Sequence, residues 1–147
     1  LVFISSLVLF ISVVAGVSSP GTPLFRPAAE TEAMDGLSRQ AARNAVILAA
    51  YDTSTVLPAR AAVRVLIGHG PESLDLEAIQ PRVEAFFSSK TTDDERQKLL
   101  TEFTVDYVFY GPVERSLGEW NPGGVSYLEN VYREGDYSIY RVERSTP

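Results

Sequence analysis

The chain has 147 residues, with 19 Asp and Glu against 13 Lys and Arg, a net charge of −6, a single histidine and no cysteine. That balance speaks against nucleic acid and anionic lipid headgroups as partners, because either would be repelled over most of the molecule. The missing thiols exclude disulfides, thiolate catalysis and cysteine–zinc sites, while the 7 Tyr, 7 Phe and 45% hydrophobic content are enough for one domain with a packed core.

The first element is read at residues 1–19. The chain opens Leu1-Val2-Phe3-Ile4, without a methionine or a basic residue, and no charge appears before Arg26. This predicts the tail of a longer protein whose last membrane-spanning helix ends here. At 1.5 Å per residue, residues 1–17 cover about 25 Å of a hydrocarbon core of about 30 Å. Ser5, Ser6 and Ser12 are tolerable in lipid, since each hydroxyl can bond a carbonyl one turn back. Gly16 and Ser18-Ser19-Pro20-Gly21 then stop the helix. Two other readings stay open: a secretory signal peptide cleaved near Ala15-Gly16-Val17-Ser18, which lacks its basic start, and a buried core helix. Residues 20–29, with three prolines, read as a stiff linker.

Residues 30–147 read as an extracytoplasmic α/β domain. Glu30 to Ala42 is helical, with Ala33, Met34, Leu37 and Ala41 near helical spacing. The continuous apolar run from Ala45 to Ala49 predicts a strand covered on both faces. Thr53 to Arg60 is a brief helix limited by Pro58. Val63 to Ile67 is a second strand, stopped by Gly68-His69-Gly70. Leu76, Ile79, Val83, Phe86 and Phe87 share one helical stripe, in which Pro81 marks either a kink or a start. Thr92-Asp93-Asp94-Glu95 is a capping box, whose helix turns Leu99, Leu100 and Phe103 inward. Val105 to Tyr110 is a third strand. After a Gly- and Pro-rich loop, Leu128–Arg133 and Tyr137–Val142 form a hairpin through Glu134-Gly135-Asp136. The order implies a small three-layer α/β domain with a mostly parallel sheet and a C-terminal β-hairpin.

In such a sheet, ligands sit beyond the carboxyl ends of the strands, which gathers Asp52, Thr53, Ser54, His69, Glu114 and Arg115 on one rim. Thr53, Ser54, His69, Glu114 and Arg115 are the candidate ligand-binding residues: hydroxyls and a guanidinium suit a sugar or a phosphate. Each also has a plain structural reading. Asp52, Thr53 and Ser54 are good N-caps, His69 can bond a neighbouring loop, and Glu114 with Arg115 can be a solvated pair. Stricter catalytic patterns are absent. There is no Gly-x-Ser-x-Gly elbow, so Asp52, Ser54 and His69 make no convincing triad. One histidine without cysteine does not make a transition-metal site, and no glycine-rich phosphate loop follows a strand. Asp93-Asp94-Glu95 is explained by the helix dipole.

Several of these stretches together resemble a known group. They are Val105 to Arg115, Val131 to Val142, Leu57-Pro58-Ala59 with Val65 to Gly70, and Phe86-Phe87 followed by Arg96 and Leu99-Leu100. They are similar to the C-terminal end of bacterial polytopic membrane proteins of the GT-C type, glycosyltransferases that use polyprenyl-phosphate sugars. Two positions depart from the pattern: Gly70 replaces an aromatic residue, and the segment before the first strand lacks an aromatic–leucine pair. The resemblance implies many membrane helices followed by a small α/β domain outside the cytoplasm, at the cell membrane. It places the acidic residue that acts as catalytic base in an early extracytoplasmic loop that nothing here matches, so no catalytic residue, metal or cofactor is assigned to this part. His69, Glu114 and Arg115 match recurring positions of the tail domain. The implied partners are the lipid bilayer, the membrane-spanning part of the same protein and a polyprenyl-linked sugar, with no nucleic acid. The expectation is an accessory domain of a membrane glycosyltransferase. The alternatives are a membrane-anchored binding module for sugar or peptide and a secreted α/β domain.

Overall fold

A computed structural model describes residues 26–68 and 76–144, so the expected membrane segment 1–19, most of the linker and His69 lie outside the described residues. Among the described residues, no helix is long and apolar enough to cross a membrane. The elements run α1 (Ala28–Gln40), β1 (Val46–Leu48), α2 (Tyr51–Ser54), α3 (Leu57–Arg60), β2 (Arg64–Val65), α4 (Leu76–Phe86), α5 (Asp93–Glu102), β3 (Tyr107–Tyr110), α6 (Pro112–Ser116), β4 (Leu128–Glu134) and β5 (Tyr137–Val142).

The five strands form one sheet in the order β2-β1-β3-β5-β4. β1 runs parallel to both β2 and β3, whereas β5 is antiparallel to both β3 and β4. The sheet is therefore mixed, not mostly parallel. The reason lies in the hairpin: the chain reaches the outer edge first as β4, reverses at Gly135, and returns as β5 against β3. Gly135 takes a φ of 52°, in the left-handed region that such tight reversals use.

Side-chain alternation sends residues to two cores. On one face Ala33, Met34 and Leu37 of α1 and Leu57 of α3 pack on Ile47, Phe109, Tyr137 and Ile139. On the other, Val83 and Phe86 of α4 and Leu99 and Leu100 of α5 pack on Leu48, Val108, Tyr110 and Tyr140. Neighbours along a strand point to opposite faces, so the apolar runs in β1 and β3 serve both layers. α4 continues through Pro81 and forgoes one internal hydrogen bond there. α5 starts with the expected capping box, in which the Thr92 N–H donates to Glu95 Oε2 at 2.8 Å.

Two polar devices lock these layers. Arg96 is 2% exposed. It donates from Nε to the Phe86 carbonyl (2.8 Å) and from Nη2 to the Ser88 carbonyl (2.6 Å), satisfying the C-terminal end of α4 from α5. Its guanidinium also lies 4.2 Å from the centre of the Trp120 ring, which meets Phe86 edge-on. On the opposite face, β4 carries an irregularity between Asn130 and Tyr132, and Gln40 Nε2 donates to the Val131 carbonyl there (3.1 Å). Tyr132 lies against α1 so closely that a Cβ on Gly36 would fall 2.7 Å from the ring.

Gly36→Ala is expected to destabilise the domain by about 1–2 kcal/mol, because overpacking outweighs the gain in helix propensity. Gly36→Ala combined with Tyr132→Ala is expected to restore part of that loss relative to the sum of the single variants, measured by urea unfolding. Arg96→Met leaves the buried Phe86 carbonyl without its donor and the Ser88 carbonyl with only the Thr91 N–H, and should destabilise by about 2 kcal/mol. A loss below about 0.5 kcal/mol, the range of an ordinary surface change, would contradict this reading of Arg96.

Candidate functional site

Beyond the carboxyl ends of β1 and β3 the chain turns directly into α2 and α6. The free N–H groups at the starts of these helices need acceptors. One side chain serves both. Glu114, in the first turn of α6, is 1% exposed. Its Oε1 accepts from the Ala50 N–H at the start of α2 (3.0 Å), and its Oε2 from the Gly111 N–H at the start of α6 (3.0 Å). Burial pushes the Glu114 carboxyl above the ordinary glutamate range, opposed by Thr53 and by the N–H groups of Ala50, Glu114 and Gly111. The Thr53 hydroxyl is buried and has no hydrogen-bond partner of good geometry; it nevertheless faces this carboxyl and favours its charged form.

The predicted rim is thus partly a buried seam. Thr53 and Ser54 are inside the fold, and Ser54 Oγ donates back to the Ala49 carbonyl (3.2 Å). Neither caps a helix: α2 starts at Tyr51 with Ala50 at the N-cap position, so both residues lie inside it. Asp52 contributes its backbone, accepting from Arg26 Nη2 (2.8 Å), while Arg26 Nη1 pairs with the buried Glu30 (2.6 Å). Tyr137 closes this region over Gly111, where a Cβ would meet its ring at 2.5 Å. Burial, then the charges of Glu30, Glu114 and Asp136, push the Tyr137 phenol upward. Glu114 and Arg115 are not a solvated pair. Glu114 turns into the fold, and Arg115 is exposed on the other side of α6. His69 lies outside the described residues. Sequence reasoning did not find α6, although Gly111-Pro112-Val113-Glu114 places Pro at the first helical position and Glu at the third, a legible helix start.

Arg115 lines an open cleft of about 790 Å³ between α6, the loop after it and the β4–β5 hairpin. Arg133, Asp136, Glu119, Asn121 and Tyr140 share its walls, and Glu114 does not reach it. Among the described residues no cluster of three or more acidic or histidine side chains could hold a metal ion.

No protein-family model and no curated protein matches the sequence. Among solved structures, the C-terminal globular domain of an oligosaccharyltransferase from Archaeoglobus fulgidus superposes with a TM-score of 0.59 at 12% identity, covering 80% of this chain and 98% of that one. The two share a fold. The oligosaccharyltransferase domain is matched over nearly its whole length, so the likeness extends beyond a single βαβ unit. At that identity it carries architecture and no residue roles.

Glu114→Ala should destabilise by about 3 kcal/mol, since two buried N–H groups lose their acceptor. The pH dependence has a definite sign. Between the ordinary value of about 4.5 and the raised folded value, the folded state holds a proton that the unfolded state has released. The contribution of Glu114 is therefore fully present below about pH 4.5 and is lost as pH rises through the folded value. In urea unfolding across a pH series, the stability of wild type minus Glu114→Gln is expected to fall over that interval. A difference that rises with pH would overturn the assignment of a raised value.

Proposed function

We propose that this chain is the C-terminal part of an integral membrane glycosyltransferase, in which the α/β domain is accessory and takes no part in the chemical step. The observation that carries the reading is the fold, which over 80% of this chain matches 98% of the C-terminal globular domain of an oligosaccharyltransferase. The apolar segment 1–19, ending just before the domain, is consistent with the domain sitting on the outer side of the cell membrane.

The chemistry of the described residues fits a supporting role. Glu114, the most deeply buried carboxylate, accepts two backbone hydrogen bonds and is walled in by Tyr137 and Thr53. A general base must reach the proton that it removes, and Glu114 faces no open space. In this reading the membrane-spanning part of the same protein supplies the acidic residue that acts as catalytic base, the sugar arrives on a polyprenyl carrier held by the bilayer, and no nucleic acid is involved. A membrane-anchored binding module is the second reading, favoured by the arginine-lined cleft.

The 147-residue chain, expressed alone, is expected to stay in the membrane pellet after alkaline carbonate washing and to transfer no sugar from polyprenyl-phosphate or polyprenyl-pyrophosphate donors. Turnover above that of control membranes would overturn the accessory role. Quantitative release into the wash would overturn the membrane assignment.

A further inference from the structure

The cleft beside α6 has a composition that the accessory reading does not use. Six arginines among the described residues have a carboxylate partner: Arg26, Arg60, Arg82, Arg96, Arg141 and Arg144. Arg39, Arg43, Arg64, Arg115 and Arg133 have none, and of these Arg115 and Arg133 line one cleft together, although two carboxylates line it too. Arg115 rests 5.8 Å from the centre of the Tyr110 ring. Arg133 gives its Nε to the buried Ser138 hydroxyl at 3.3 Å, which orients the guanidinium from its stem and leaves both terminal nitrogens free of protein partners. Two forks of this kind are suited to an anion.

The remaining wall groups are of the opposite kind. Asp136 and Glu119 are exposed and make no ion pair, so their oxygens are open acceptors. The floor beneath is firm. The Tyr110 hydroxyl donates to the Trp120 carbonyl, and Glu119 is held in an isolated antiparallel bridge with Ser88. The volume of about 790 Å³ falls in the range of ligand pockets, roughly 300–1,000 Å³.

We infer that this cleft binds an acidic sugar unit, a polyhydroxyl ring bearing a carboxylate or a phosphate. The anion sits between Arg115 and Arg133, and ring hydroxyls donate to Asp136 and Glu119. The mixture of charges decides against the nearest competitor. An acidic peptide would bring several carboxylates into a cleft that already holds two, whereas a sugar ring offers one anion and several hydroxyl donors. Binding here requires no transferase activity, so it stands apart from the accessory role proposed above.

The test is calorimetric titration of the 147-residue chain in neutral detergent at low salt. The probes are methyl galacturonide (one free carboxylate), glucose 6-phosphate, neutral maltotriose, inorganic phosphate and triglutamate. Saturable binding of methyl galacturonide or glucose 6-phosphate is expected, the preferred one identifying a carboxylate or a phosphate as the anion. Arg115→Gln and Arg133→Gln should each weaken it about tenfold, the effect of one charge-assisted hydrogen bond, with unchanged thermal unfolding. Asp136→Asn should weaken the acidic sugars while leaving inorganic phosphate unaffected or tighter. The inference is overturned by silence from both acidic sugars, by binding indifferent to both arginine variants, or by maltotriose, inorganic phosphate or triglutamate binding as tightly. Because the titration reads binding alone, its failure leaves the transferase reading standing, and a transfer assay that fails leaves the cleft standing.

Discussion

The geometry of this domain depends on one buried carboxyl group. Where β1 and β3 end side by side, each strand runs straight into a short helix, and both helix starts expose N–H groups inside the fold. Glu114 accepts from one N–H of each, at Ala50 and at Gly111. The two strand ends are thereby held at a fixed separation, although neither helix is long enough to be stable by itself. Tyr137 can then close over Gly111 because that residue has no Cβ, and this brings the start of β5 to the same point. Three strands and two helices thus meet at a single side chain.

Arg96 does the corresponding work in the other layer. Helix α4 ends within the packed layer, at Phe86, and its last carbonyls need donors that water does not supply. The guanidinium of Arg96 reaches them from α5 and stacks on Trp120. Its ion pair with Asp93 (3.0 Å) is secondary, since Asp93 is half exposed. A buried cation and a buried carboxyl group on separate elements therefore act alike: each takes the place of the solvent that the ends of helices would otherwise require. Neither has surface left over for catalysis.

The outward-facing chemistry lies elsewhere, on the far side of α6. Adjacent residues on that short helix divide the two tasks, with Glu114 turned into the seam and Arg115 turned into the cleft. The hairpin contributes the opposing wall through Arg133 and Asp136, and its placement beside β3 is what creates the cleft. A fold of this kind, shared with a domain of an oligosaccharyltransferase, can therefore keep its framework constant while the groups facing the cleft vary.

Much of the framework was legible in the sequence. The Thr92–Glu95 capping box, the apolar runs of β1 and β3, the stripe through Val83 and Phe86 and the Gly135 reversal all follow from interactions within a few residues, which local spacing records. What only the tertiary structure decided depends on groups far apart in the chain. The returning strand pairs with β3 and makes the sheet mixed, because ladder partners are chosen by the closing of the whole sheet. Thr53 and Ser54 look like caps in sequence, yet they are buried, because the acceptor for the start of α2 is Glu114, 64 residues from Ala50. Nothing in the local sequence pairs Arg133 and Asp136 with Arg115; they share a cleft with it only because the hairpin folds back beside α6. Sequence records the chemistry of each side chain and its local geometry; which distant partner satisfies a buried hydrogen bond is settled only when the layers pack.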